Sequence, residues 1–132
     1  MVVYIRDLNL REKIGYLLKH HQDFKRFKIV KDAELQGQYD KKYFFDYILV
    51  NEQEQNIIGI LIKDWERSCG YQIILNAEKY QKECNLSKVI VMSNTFSEVA
   101  RSWSKKLNII TLSDGEIGSI LISSFNMEVI EP

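Results

Sequence analysis

An aspartate and a lysine sit in two apolar runs that read as partners in a hairpin. Residues 43–50 (YFFDYILV) carry Asp46, and residues 57–65 (IIGILIKDW) carry Lys63 at the end of an unbroken apolar stretch. So apolar a strand is normally buried, and an ammonium on it needs a role. It can be a catalytic cation, a ligand-binding cation, or a side chain that snorkels to solvent from a strand end. With the turn centred on Gln53 and Glu54, Val50 meets Ile57, Ile48 meets Gly59 and Asp46 meets Leu61. Two-residue alternation then predicts Asp46, Leu61 and Lys63 on one sheet face, with Lys63 diagonal to Asp46. Such a pair can act jointly on a ligand, or it can be an ordinary exposed ion pair that contributes little.

A second group is basic. Lys19, Lys25, Arg26, Lys28 and Lys31 have Phe24 and Phe27 interleaved. Lys25, Arg26 and Lys28 are the candidates for tracking a phosphate backbone, against the plainer reading of a solvated face. His20 and His21 are adjacent and read as the C-terminal turn of a helix, where they favour its dipole. Cys69 and Cys84 are too few for a zinc site without histidine help and read as free thiols, with a single disulfide the other option. Trp65 and Trp103 read as core anchors.

These residues have to be placed by periodicity, because proline occurs only at Pro132 and glycine six times. Leu10, Ile14, Leu17 and Leu18 at helical spacing behind Asn9 and Glu12 predict a first helix with a capping box. Residues 26–30 read as a short strand, followed by a polar loop or irregular edge strand. The hairpin comes next, then a helix over 71–84, a doubly buried strand at 88–92, and a helix opened by Thr95 and Glu98. A strand at 108–112 and a last helix behind Ser113 and Glu116 close the pattern. Strands alternating with helices predict an α/β domain of three layers, with a mixed central sheet and helices on both faces. At 132 residues and 45% hydrophobic content, the chain is expected to form a single domain over 1–132. Eighteen basic against eighteen acidic side chains give no general attraction to polyanions, so any such site is local. The start has no signal-peptide core and no apolar run is long enough for a membrane span, which predicts a cytoplasmic protein with no membrane partner.

An acidic residue on one strand, a hairpin, a strand ending in lysine and followed by tryptophan, then KVIVMSNTFSEVA and KKLNIITLSDGEI, resembles the restriction-endonuclease-like nucleases. Within that superfamily the chain is most similar to Mrr-type restriction enzymes and archaeal Holliday-junction resolvases, over about Asn9 to Ile117. The resemblance implies a DNA ligand, duplex or branched, a homodimer or a partner subunit, and Mg²⁺ as cofactor. It matches the family's helix glutamate to Glu12, its strand aspartate to Asp46, and the lysine of its Glu-x-Lys motif to Lys63. The glutamate of that motif is replaced by Leu61. In the family's chemistry the strand carboxylates hold the metal that polarises the phosphate and activates water, while the lysine stabilises developing charge. Leucine supplies neither charge nor ligand. Asp64 and Glu66 are candidates for a migrated carboxylate, although a regular strand points Asp64 to the opposite face. Gln72 could begin the glutamine motif of some relatives, but Asn76 stands where that motif has tyrosine, so both read as helix surface.

Three functions follow. The first is a nucleic-acid-binding protein of nuclease fold with a degenerate, weak or inactive site. The second is an active Mg²⁺-dependent endonuclease with a migrated carboxylate. The third is a non-catalytic structural or assembly subunit.

Overall fold

The computed structural model describes residues 3–125 and 129–130. Asn9 opens helix α1 (Leu10–His20) with the expected capping box: its side-chain oxygen accepts from the Glu12 amide at 2.8 Å, and Glu12 accepts from the Asn9 amide at 3.0 Å. Leu10, Ile14, Leu17 and Leu18 form the buried stripe of this helix. His20 is its last residue. His21 caps the end, its Nε2 lying 3.0 Å from the Ser124 hydroxyl.

Three antiparallel strands follow, β2 (Lys28–Gln36), β3 (Lys42–Asn51) and β4 (Asn56–Lys63), after a two-residue strand β1 (Val3–Tyr4) that pairs with β7 (Val129–Ile130). The short strand expected at 26–30 is therefore part of a nine-residue edge strand that absorbs most of the polar segment after it. The edge-strand option for that segment is the one observed; Ile29 packs in the core with the α1 stripe but Ala33 and Leu35 in the core on the opposite face of the sheet, so its apolar alternation changes face part-way along. Its irregularity is at Asp32, whose φ is +51°. The β2–β3 register runs from Lys28↔Val50 to Gln36↔Lys42, and only Asp32 and Asp46 fail to pair within it.

The hairpin register is the expected one, with Val50 opposite Ile57 and Ile48 opposite Gly59. Gly59 is required by packing, because a Cβ there would lie 2.6 Å from the Phe45 ring and 3.0 Å from Leu86. Gly59→Ala is expected to destabilise by about 1–3 kcal/mol through overpacking, only partly offset by the roughly 0.4–1 kcal/mol that reduced unfolded-state freedom returns. Urea denaturation measures the net loss.

Beyond the hairpin come α2 (Tyr71–Glu83), β5 (Lys88–Ser93), α3 (Glu98–Leu107), β6 (Ile110–Ser113) and α4 (Asp114–Phe125). β5 lies parallel to β4 and β6 parallel to β5, giving the order β2-β3-β4-β5-β6. Leu49, Ile60, Ile62, Ile90 and Met92 face α1 and α4, while Phe45, Ile48, Leu61, Val89 and Val91 face α2 and α3. The sheet is thus mixed and covered on both faces.

One cap differs in detail. α3 is opened by Ser97, which accepts from the Ala100 amide at 3.1 Å, and not by Thr95. The Thr95 carbonyl accepts from Cys69 and its hydroxyl meets Ser68, so the segments after β4 and β5 are joined and the helix starts later. Ser113 and Glu116 form the expected reciprocal bonds at the start of α4. Burial pushes the Glu116 carboxyl up, but the donors Arg101 and Ser113 outweigh it and hold the group below its ordinary value. Among the described residues no helix is long and apolar enough to cross a membrane.

Candidate functional site

The β3–β4 ladder ends at Tyr47↔Ile60, and a side chain takes over where it stops. The Ile62 amide donates to Oδ2 of Asp46 at 2.6 Å, and Arg11 of α1 donates to Oδ1 at 3.3 Å. Alternation also loses a step here, since Tyr43 and Phe45 pack in the same core as Ile48 and Val50. The irregular Asp32 lies across from this point on β2. An open cleft of about 350 Å³ results, lined by Asp32, Asp46, Leu61 and Lys63 with Phe44 and Tyr80 among its walls.

The structure brings Asp46, Leu61 and Lys63 to one cleft, with no ion pair between the lysine and the aspartate. Asp46 pairs with Arg11, while the Lys63 ammonium lies 5.7 Å from the centre of the Trp65 ring. Arg67 lies over the same ring at 4.5 Å. Asn94 fixes this exit from β4 by donating to the Trp65 carbonyl at 2.8 Å and to Asp64 at 3.1 Å. Glu12 lies outside the cleft and has one oxygen on the Asn9 amide. Asp64 and Glu66 do not line it either.

Leu61 is 5% exposed and belongs to the apolar core under α2 and α3. The donor set therefore does not fit a hard divalent cation, which takes six or more oxygen ligands. Each oxygen of Asp46 already accepts from nitrogen, Arg11 brings positive charge beside it, and Leu61 contributes no ligand. Among the described residues no group of three His, Cys, Asp or Glu side chains is placed to hold a metal.

Lys25, Arg26 and Lys28 are exposed and lie towards the other end of β2. Lys28 pairs with Val50, four residues along β3 from Asp46, or roughly 13 Å at strand rise. Arg26 is 4.0 Å from Glu54, and Phe24 and Phe27 pack against the core as anchors. Gln72 and Asn76 are on the surface of α2.

Neither tryptophan anchors the core, which corrects the sequence expectation. Trp65 is half-buried outside the core clusters with Lys63 and Arg67 over its ring, and Trp103 is exposed on α3 with Lys106 over its ring. Both cysteines are free. Burial pushes the Cys69 thiol up to about 11 against the lowering influence of Lys63 and Arg67, so it is inert at neutral pH.

Arg11 and Asp32 were missed by sequence reasoning. The contact of Arg11 with Asp46 spans 35 positions, and Asp32 lies in the segment without apolar periodicity. Only the location of Arg11 in the first turn of a predicted helix was a usable signal.

A mixed five-stranded sheet carrying a splayed hairpin, flanked by helices on both faces, is the restriction-endonuclease-like fold. Among solved structures the chain is similar to a protein of unknown function (TM-score 0.65, 12% identity, 83% of this chain and 64% of that one). It is also similar to a repair endonuclease from Pyrococcus abyssi (TM-score 0.56, 13% identity, 81% of this chain and 47% of that one). A third likeness is to EndoMS in its apo form (TM-score 0.50, 11% identity, 81% and 46%). The chain thus spans between about half and two thirds of the length of these neighbours. No family model matches the chain, and no curated protein matches its sequence.

Proposed function

We propose that the chain is a nucleic-acid-binding protein of nuclease fold whose phosphodiesterase site is degenerate, with little or no metal-dependent cleavage. The observation that carries this reading is Leu61, a buried leucine lining the same cleft as Asp46, at the sequence position where the family motif has its second carboxylate, while both Asp46 oxygens accept from nitrogen. Asp46 and Lys63 are then relics of the catalytic set. Glu12 belongs to the same set by resemblance and serves the helix cap. DNA, duplex or branched, is the ligand, with Lys25, Arg26 and Lys28 as phosphate contacts, and the protein acts as a homodimer.

One observation favours a second reading, an active endonuclease with a migrated carboxylate. Asp32, across from Asp46, is the other acid lining the cleft.

Titration of labelled duplex and four-way-junction DNA in EDTA tests the binding. The association constant is expected to fall with salt, with a log–log slope near −0.9 per phosphate contact, and each change of Lys25, Arg26 or Lys28 to Gln is expected to reduce that slope by about 1. Absence of binding at low salt would overturn the reading in favour of an assembly subunit.

A further inference from the structure

The five-stranded sheet has two edges, and only one of them is defended. β2 carries Lys28, Lys31, Asp32 and Glu34, and the positive φ at Asp32 interrupts it, devices that discourage a second chain from pairing there. β6, with the sequence ITLS, has none of these: it holds no charge, no proline and no positive φ. It bonds to β5 on one side, and among the described residues no backbone group bonds to it on the other. The charges missing from the strand stand at its two ends. Lys105 and Lys106 lie in the last turn of α3, before its entry, and Asp114 and Glu116 lie in the first turn of α4, after its exit. Both lysines are exposed and meet no carboxylate among the described residues. The two acids are 33% and 44% exposed beside their partners Lys13 and Arg101.

We propose that β6 is the surface on which two copies of the chain pair, antiparallel about a two-fold axis, so that two five-stranded sheets join into one. The inference rests on the homodimer reading above and assigns its interface. A two-fold sets the entry of one β6 beside the exit of the other, which brings the lysine pair of each copy towards the acidic pair of its partner. A parallel pairing would set lysines beside lysines and acids beside acids. A neutral strand of another protein could add to the edge but would leave the charges at its ends unmatched. Four paired residues span only about 13 Å, and a stable dimer buries roughly 800 Å² on each side, so the surfaces of α3 and α4 that flank the strand supply the rest.

Sedimentation and light scattering over about 1 to 100 μM measure the dimer, whose population rises with protomer concentration. Amide exchange reads the strand itself, and exchange in residues 110–113 is expected to slow as the dimer forms. Thr111→Lys puts a charge into the undefended edge, and Lys105→Glu with Lys106→Glu reverses one end of it. Each variant is expected to raise the dimer dissociation constant by at least about tenfold. Raising salt from about 0.05 to 0.5 M should weaken the wild-type dimer but not that of the double variant, whose ends repel. Lys79→Glu with Lys82→Glu on α2, the same change in net charge elsewhere on the surface, should leave the constant within about twofold. Circular dichroism checks folding, and if Thr111→Lys does not fold, the double variant of exposed lysines decides alone. A dimer indifferent to the β6 variants, or one lost only on Val30→Lys in β2, would overturn the assignment. A chain that stays monomeric throughout would remove the homodimer reading itself, so the two failures are distinguishable.

Discussion

Asp114→Ala is expected to lower the stability of the domain by about 3 kcal/mol and its melting temperature by roughly 10 °C. Lys13 is on the inner side of α1 with its side chain only 7% exposed, and its ammonium donates to both oxygens of Asp114 at 3.0 and 3.1 Å. That pair joins α1 to the start of α4, two helices on the same face of the sheet. Removing the carboxylate leaves a buried cation without a counter-charge, which costs about 3–5 kcal/mol in other proteins. Asp114 is 33% exposed, so water can reach the gap and the lower end of that range applies. The reverse change, Lys13→Met, leaves Asp114 partly solvated at a helix N-terminus, where a carboxylate is stabilised, and is expected to cost about 1 kcal/mol. The double variant Lys13→Met with Asp114→Ala should recover most of the loss, because an apolar replacement of a buried pair is close to neutral. Calorimetric melting of the three variants measures this. A cost for Asp114→Ala no greater than that for Lys13→Met would mean that the pair is an ordinary surface one.

Leu61→Glu is expected to create a cation site that wild type lacks. The new carboxylate replaces a side chain that lines the cleft together with Asp46 and supplies the second negative charge that a hard cation needs. It also removes a leucine that is 5% exposed, which costs about 1.5–3 kcal/mol in lost burial. The variant should therefore melt below wild type in EDTA and regain stability with Mn²⁺, by about 2.7 kcal/mol at a hundredfold excess over the dissociation constant. Wild type should show no Mn²⁺-dependent shift, and adding Asp46→Ala to Leu61→Glu should abolish it. A variant that folds but is indifferent to Mn²⁺ would place the decay beyond this one residue, with Arg11 on Asp46 as the next obstacle.

Those features whose physics is local can be read from the sequence. The hairpin register follows from two apolar runs around one polar turn, since a slip of one residue would send every core side chain to the wrong face. The caps of α1 and α4 follow from Asn9 with Glu12 and Ser113 with Glu116, three residues apart. What is hidden depends on distant partners. Arg11 looks like any solvated residue on a helix, and its role on Asp46 appears only when α1 lies beside the end of β3. Lys13 looks equally exposed until α4, about a hundred positions away, brings it Asp114. Edge strand β2 is legible only as one of two options, loop or irregular strand, because its apolar alternation changes face between Ile29 and Ala33, and nothing local singles out Asp32 within it. Trp65 and Trp103 are misread because size predicts burial in the core, whereas both indoles lie outside the core clusters with cations over their rings. The cleft is therefore legible in Asp46, Leu61 and Lys63, but not in the Arg11 and Asp32 that complete its charge.

The central claim, a nuclease fold that holds nucleic acid without cutting it, is tested most directly by one assay. Wild-type protein is mixed with labelled duplex, junction and single-stranded DNA in Mg²⁺ or Mn²⁺, and bound and cleaved fractions are followed together. The expected result is salt-sensitive binding with cleavage at background in both metals. Cleavage above background that disappears with Asp46→Ala would contradict the account, and Asp32 would be the first carboxylate to replace.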